Sequence, residues 1–270
     1  MIEIIKSIKS QIKSRPNVGI ILGSGLSQLC TQLENKIVIK YTDIPSFMNT
    51  TVDGHKGEFI IGNLSGSNQT LMFANGRFHY YEGIDYEKTH IIIDIFHKIG
   101  CKYIITTNSS GCLQPSWSPG DLMIINSHID ATFRTTPSTP VKLYGDDYYN
   151  PKLIDIALEV MDKLNIKPRL GTYGWTLGPT YETPAEVKML KELGVSAVGM
   201  STVPEVLVAN HCGLPVIGIS VITNLAAGMN KTKLSHQETL ENASLAENNV
   251  LNLIKQFIQE VQLDDTSRDN

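Results

Sequence analysis

The run Pro215 to Thr223, PVIGISVIT, carries apolar residues on both faces that a strand would present. A half-exposed strand alternates apolar with polar residues, whereas a strand covered on both sides need not. VGIIL (Val18 to Leu22), KYIITT (Lys102 to Thr107) and SAVGM (Ser196 to Met200) share this character. Shorter β-like runs stand at Ile37 to Ile39, Phe59 to Ile61 and Leu71 to Ala74, and further strands at Asp121 to Asn126 and Gly171 to Thr176. Helical stretches fall between them. Ile2, Ile5, Ile8 and Ile12 recur at helical spacing, Tyr86 to Ile99 stops at Gly100, Pro151 to Leu164 precedes a strand, and another helix runs to Cys212 before Gly213. Thr183-Pro184-Ala185-Glu186 and Ser235-His236-Gln237-Glu238 have capping-box spacing, opening helices to Gly194 and to about Val261. This alternation implies an α/β fold, with a central mixed, largely parallel β-sheet flanked by helices in a single domain spanning 1–270. Ser127 to Asn150, rich in Thr, Pro, Asp and Tyr, is expected to be a mobile loop, and the tail LDDTSRDN to fray.

Bulk properties exclude several function classes. The net charge of -4 opposes nucleic-acid binding, which needs clustered Lys and Arg. Cys30, Cys101, Cys112 and Cys212 show neither a C-x-x-C pair nor metal-ligand spacing, so they read as thiols in a reducing compartment, and no metal is expected. MIEIIKSIKSQIKS mixes Lys with its apolar residues and has no signal-peptide core, and no apolar run reaches membrane-spanning length. The expected location is the cytoplasm, with no membrane partner.

In α/β sheets, ligands bind beyond the carboxyl ends of the strands, and several strand ends here are unusually polar. Gly23-Ser24-Gly25 lets a backbone approach an anion, although it lacks the lysine of a Walker A loop and a tight turn explains it equally. In GRFHYYEG (76–83), Arg77, His79 and Tyr81 would share one face of an extended segment, which favours an oxyanion site over a solvated edge. Asn108-Ser109-Ser110-Gly111 either presents amides to a ligand or forms a plain turn. Tyr181 and Glu182 stand after a buried strand, just ahead of a capped helix. Asn224 ends the most buried strand and needs partners, either a ligand or the local backbone. His55 reads as a loop residue and His236 as a helix-start surface residue, while His90 and His97, seven apart on one helix, read as structural.

Taken in order, GSGL (23–26), GH (54–55), GRFHYYEG (76–83), TN (107–108), GPTYET (178–183), VGMSTVPEV (198–206) and ITN (222–224) closely resemble the trimeric family of purine nucleoside phosphorylases, over nearly the whole chain. The resemblance implies the nucleoside phosphorylase fold. It also implies a phosphate site from Ser24, His55, Arg77, His79, Ser201 and the backbone at Ser109, a sugar site from Tyr81, Met200 and His236, and a base site from Tyr181, Glu182, Thr223 and Asn224. The implied reaction is reversible phosphorolysis of 6-oxopurine (deoxy)ribonucleosides such as inosine and guanosine, in purine salvage. Asn224, Glu182 and His79 would be the catalytic residues, and inorganic phosphate a co-substrate, with no cofactor or metal. Family members are homotrimers in which a neighbouring subunit's aromatic residue closes the sugar site, and Tyr148 is the candidate here. Related methylthioadenosine phosphorylases typically carry Asp where this chain has Asn224, and His236 favours a free 5′-hydroxyl. Two stretches depart from the family: Ser109-Ser110-Gly111-Cys112 replaces Ala-Ala-Gly-Gly, and segment 127–150 differs. The alternatives are a methylthioadenosine-type phosphorylase, a hydrolytic nucleosidase and a catalytically weakened nucleoside-binding homologue.

Overall fold

A computed structural model of the chain describes residues 1–52, 55–64, 69–134, 143–145, 147–229 and 236–261, with only the backbone of 143–144 and 236–240. The strands are β1 (Val18–Ile21), β2 (Leu33–Lys40), β3 (Glu58–Leu64), β4 (Thr70–Asn75), β5 (Tyr103–Cys112), β6 (Leu122–Asp130), β7 (Leu143–Tyr144), β8 (Arg169–Trp175), β9 (Val195–Gly199) and β10 (Val216–Leu225). They form one sheet in the order β10-β6-β8-β9-β5-β1-β4-β3-β2, with β7 on β6. β10 also pairs with β5, so this half of the sheet closes into a ring instead of staying open. The sheet is mixed. β1–β4, β1–β5, β5–β10, β6–β8 and β8–β9 are parallel, and β2–β3, β3–β4, β5–β9, β6–β7 and β6–β10 are antiparallel.

The helices are α1 (Ile2–Gln11), α2 (Tyr86–Thr89), α3 (Ile91–Ile99), α4 (Pro151–Lys163), α5 (Pro184–Glu192), α6 (Val203–His211) and α7 (His236–Glu260). The α1 stripe centres on Ile4 and Ile8, which are buried; Ile5 and Ile12 pack partly against the core as the spacing predicts, whereas Ile2 is 86% exposed. The single helix expected over 86–99 breaks at His90, whose φ of -110 and ψ of 8 are not helical. Its predicted stop holds: Gly100 has φ +111, a conformation side-chain-bearing residues avoid. Thr183 and Glu186 form the expected capping box at α5. Ser235 lies outside the described residues.

Two further expectations change. The small residues 108–112 do not turn; they continue β5, pairing with β10 and, at Gly111 and Cys112, with β9. The supposed loop from Ser127 is at first the continuation of β6 to Asp130, paired along β8, and Tyr149 near its other end is fully buried. Residues 135–142, 146 and the tail from 262 lie outside the described residues. Buried apolar side chains from both strands and helices form the main core, and a second cluster unites Leu113, Ile129, Val195 and Val198 with Val187 and Leu190 of α5.

Candidate active site

β1, β4, β5 and β10 run in one direction, and β6, β8 and β9 in the other. The two sets overlap where β5 and β9 pair antiparallel at their C-terminal ends, Gly111 opposite Val198. Strand ends from both directions therefore open on a single cleft. Ser24, His55, Arg77, His79, Tyr81, Ser109, Tyr181, Glu182, Met200, Ser201, Thr223 and Asn224 all line it. His236 opens α7, but its side chain is outside what is described. Tyr148 lies elsewhere, in a groove with Tyr149, Asn210 and Leu214.

At the end of β1, the Gly23 amide donates to Thr107 Oγ1 (2.9 Å), and a Cβ on Gly23 would stand 2.8 Å from the Asn108 backbone. Only glycine lets the turn bearing Ser24 lie so close to β5. Ser109 Oγ donates to Ser24 O (3.0 Å), so the serine found where the resembled family has alanine fastens this turn.

One cluster of donors suits an anion. Arg77, 1% exposed, donates from Nη1 to Ser201 Oγ (3.0 Å) and from Nη2 to Thr106 Oγ1 (2.9 Å) and Glu205 Oε2 (3.2 Å). Its Nε lies 3.1 Å from Glu205 Oε1 without the alignment of a hydrogen bond. Thr106 Oγ1 donates to Glu205 Oε2 (2.9 Å), completing a closed set around a 2% exposed carboxylate. The rings of His55, His79 and Tyr81 stack in succession, with centroids 5.3 and 4.8 Å apart. Tyr81 belongs to a 3-10 turn that His79 caps, so Arg77, His79 and Tyr81 reach the cleft together without the strand alternation expected of them.

Glu82 Oε1 accepts from the His79 amide (2.6 Å) and from Nδ1 (3.1 Å), and Oε2 accepts from Thr51 Oγ1 (2.6 Å). Burial raises the Glu82 carboxyl pKa, but these bonds outweigh it and hold it at about 2. The Nδ1–H bond fixes the His79 tautomer and leaves Nε2 for a ligand. Burial lowers the His79 pKa against the opposing Glu82 bond. It takes His55 to about 3, with His79 and Arg77 acting in the same direction. His55 Nδ1 lies against both the carbonyl (3.2 Å) and the amide (3.3 Å) of Arg77, and its Nε2 pairs with Ser24 Oγ (3.4 Å). Both imidazoles are neutral at pH 7.

A second cluster suits a heterocycle with donor and acceptor edges. Glu182, 8% exposed, accepts from Thr176 Oγ1 (2.7 Å), and burial raises its pKa. Asn224 Oδ1 accepts from Thr223 Oγ1 (3.0 Å), and Nδ2 donates to Leu225 O (3.1 Å), so both alternatives foreseen for Asn224 meet: it lines the cleft and bonds the local backbone. Tyr181 is 37% exposed at the rim. A Cβ on Gly178, which has φ +72, would run into Met200 and Tyr81, which flank it.

Sequence reasoning missed Glu205, Thr106 and Glu82. Each acts on the cleft through a residue that lines it, and the legible signals were an acid inside the otherwise apolar VPEVLVA and a His–Glu pair three apart. His90 bonds Asp94 (3.3 Å) and His97 is exposed, and neither lines the cleft. All four cysteines are free. Among the described residues, no cluster of three or more His, Cys, Asp or Glu could hold a metal, and no helix is long and apolar enough to cross a membrane.

Residues 17–259 match the family described as the phosphorylase superfamily. Purine nucleoside phosphorylase 1 of Bacillus subtilis is 39% identical over 262 residues, covering 94% of this chain and 96% of its own. Its namesake from Geobacillus stearothermophilus is 38% identical over 259 residues, covering 93% and 94%. The crystal structure of Schistosoma mansoni purine nucleoside phosphorylase in complex with inosine superposes with a TM-score of 0.87 at 31% identity, covering 97% of this chain and 96% of that one.

Proposed function

The chain belongs to the purine nucleoside phosphorylase family of the phosphorylase superfamily, and from that premise we propose that it cleaves 6-oxopurine (deoxy)ribonucleosides with inorganic phosphate. Such an enzyme is a pentosyltransferase. The observation that carries the reading is the pairing, in one cleft, of an oxyanion-type donor set (Arg77, Ser201, Ser24, His79) with a buried carboxylate and amide (Glu182, Asn224). Phosphate occupies the first, together with His55 and the Ser109 backbone. The purine occupies the second, with Tyr181 and Thr223 against it, and the sugar lies between, at Tyr81, Met200 and His236.

In the proposed step a phosphate oxygen forms a bond to C1′ while the C1′–N9 bond breaks. The electron pair goes to the purine, which takes a proton from water at N7. Asn224 accepts from N7–H and donates to O6, and ionised Glu182 accepts from N1–H. The bond to O6 strengthens as the base gains charge, so it lowers the barrier and does more than tighten binding, while the N1–H bond to Glu182 orients the base. No metal or cofactor takes part. The reaction is reversible and serves purine salvage in the cytoplasm. We further propose a homotrimer in which Tyr148, remote from its own cleft, reaches the sugar site of a neighbour.

The test is inosine cleavage by the purified protein with and without phosphate, following hypoxanthine and ribose 1-phosphate. Base and sugar phosphate are expected only with phosphate. Equal base release without it would make the enzyme a hydrolase, and tight inosine binding without turnover would make it a binding protein.

A further inference from the structure

Just beyond β9 the backbone takes a conformation that its residue disfavours. Val203 N donates to Ser201 O (2.9 Å) across Thr202, closing a γ-turn in which Thr202 has φ 77 and ψ -49. A β-branched side chain avoids this region, and such a turn persists only where its surroundings over-determine it. The surroundings here are specific. Thr202, 1% exposed, accepts at Oγ1 from Asn108 Nδ2 (2.9 Å), and Asn108 Oδ1 accepts from Ser220 Oγ (2.8 Å). All three side chains are buried, and they join β5, β10 and the turn. On the cleft side of the turn, Ser201 Oγ accepts from Arg77 Nη1 and lies 3.3 Å from Thr202 Oγ1.

We infer that Ser220, Asn108 and Thr202 form a relay that holds the strained turn and so aims the Ser201 hydroxyl at phosphate, making Asn108 a positioning residue. The inference rests on the phosphorolysis reading above. An amide is suited to the task because it accepts from one hydroxyl while donating to another, which neither Asp nor Leu does. Without that brace the turn relaxes toward negative φ and carries Ser201 off its line, and displacements of about 1 Å at a reacting site cost rates on the order of a hundredfold.

The test is steady-state kinetics on Asn108→Ala, Thr202→Val, their double variant, and Asn108→Ala in a Thr202→Gly background. Asn108→Ala is expected to raise the phosphate KM about tenfold and the inosine KM less than threefold. Thr202→Val should act in the same way, and the double variant no worse than Asn108→Ala, because both break the Asn108–Thr202 bond. Glycine takes positive φ without a brace, so in the Thr202→Gly background the Asn108→Ala ratio should fall toward one. Should Asn108→Ala fail to fold, Ser220→Ala must show the same split between the two KM values, by threefold or more. Equal rises in both KM values, additive singles, or an undiminished ratio in the glycine background overturn the relay. Wild-type turnover that ignores phosphate overturns instead the reading beneath it.

Discussion

Glu205→Gln probes the charge balance on which the anion cluster depends. Arg77 and Glu205 are 1% and 2% exposed, so each is the other's principal counter-charge in a low-dielectric setting. Glutamine keeps the shape and one acceptor, but turns an NH2 group toward Nε or Nη2 of Arg77. Breaking a buried pair by removing one partner costs about 3–5 kcal/mol, and the retained acceptor places this variant near 3. At roughly 2.1 cal/mol/K per residue, 270 residues give an unfolding entropy near 0.6 kcal/mol/K, so the melting temperature falls by about 5 °C. Phosphate stabilises any protein it binds, by about 2.7 kcal/mol at a hundred times its Kd. In the variant it also supplies the missing counter-charge, so its effect is larger there. The assay is calorimetry at fixed protein concentration, in phosphate and in chloride of equal ionic strength. The gap between variant and wild type should shrink by half or more in phosphate. A shift under 2 °C in chloride, or a gap that phosphate leaves unchanged, refutes the argument.

Two other substitutions test the base cluster. Asn224→Asp replaces the donor to O6 by an acceptor, so kcat/KM for inosine should fall on the order of a hundredfold while adenosine gains relative to it; a retained inosine preference would remove Asn224 from base recognition. Burial raises the Glu182 pKa above its ordinary 4.5, so the carboxylate is lost as pH falls through that raised value. The inosine KM should therefore rise on an acid limb whose midpoint lies above 4.5, and that limb should vanish in Glu182→Gln. An identical limb in the variant would assign it to another group.

The strand-and-helix order was legible because burial on both faces leaves its mark in composition, as in VGIIL and PVIGISVIT. The closure of β10 onto β5 was not, because it depends on which strands pair and not on what any one strand contains. The same gap explains residues 108–112. Asn, Ser and Gly signal a turn by local preference, yet here small side chains let β5 run between β9 and β10, with Gly111 leaving only 3.2 Å between a would-be Cβ and Asn224 Nδ2. The cleft-lining residues were found through short ordered motifs and strand-end position. Glu205 and Glu82 escaped because their work is done on Arg77 and His79, and a contact between residues 77 and 205 leaves no periodicity to read.

This hidden layer bears on the chemistry. Arg77 is paired by Glu205, His55 and His79 are neutral at pH 7, and Glu82 is ionised, so the cleft offers an incoming phosphate oriented donors and little net positive charge. In the proposed reaction that balance is an advantage. Positive charge builds on the sugar as the C1′–N9 bond breaks, and an unpaired guanidinium behind the phosphate would oppose it across a few ångströms of low dielectric. With Arg77 compensated, the phosphate's own charge supports the sugar cation before it attacks. The fixed dipoles of Ser24, Ser201 and His79 need only hold it in line, as preorganised groups do without reorganising during the step.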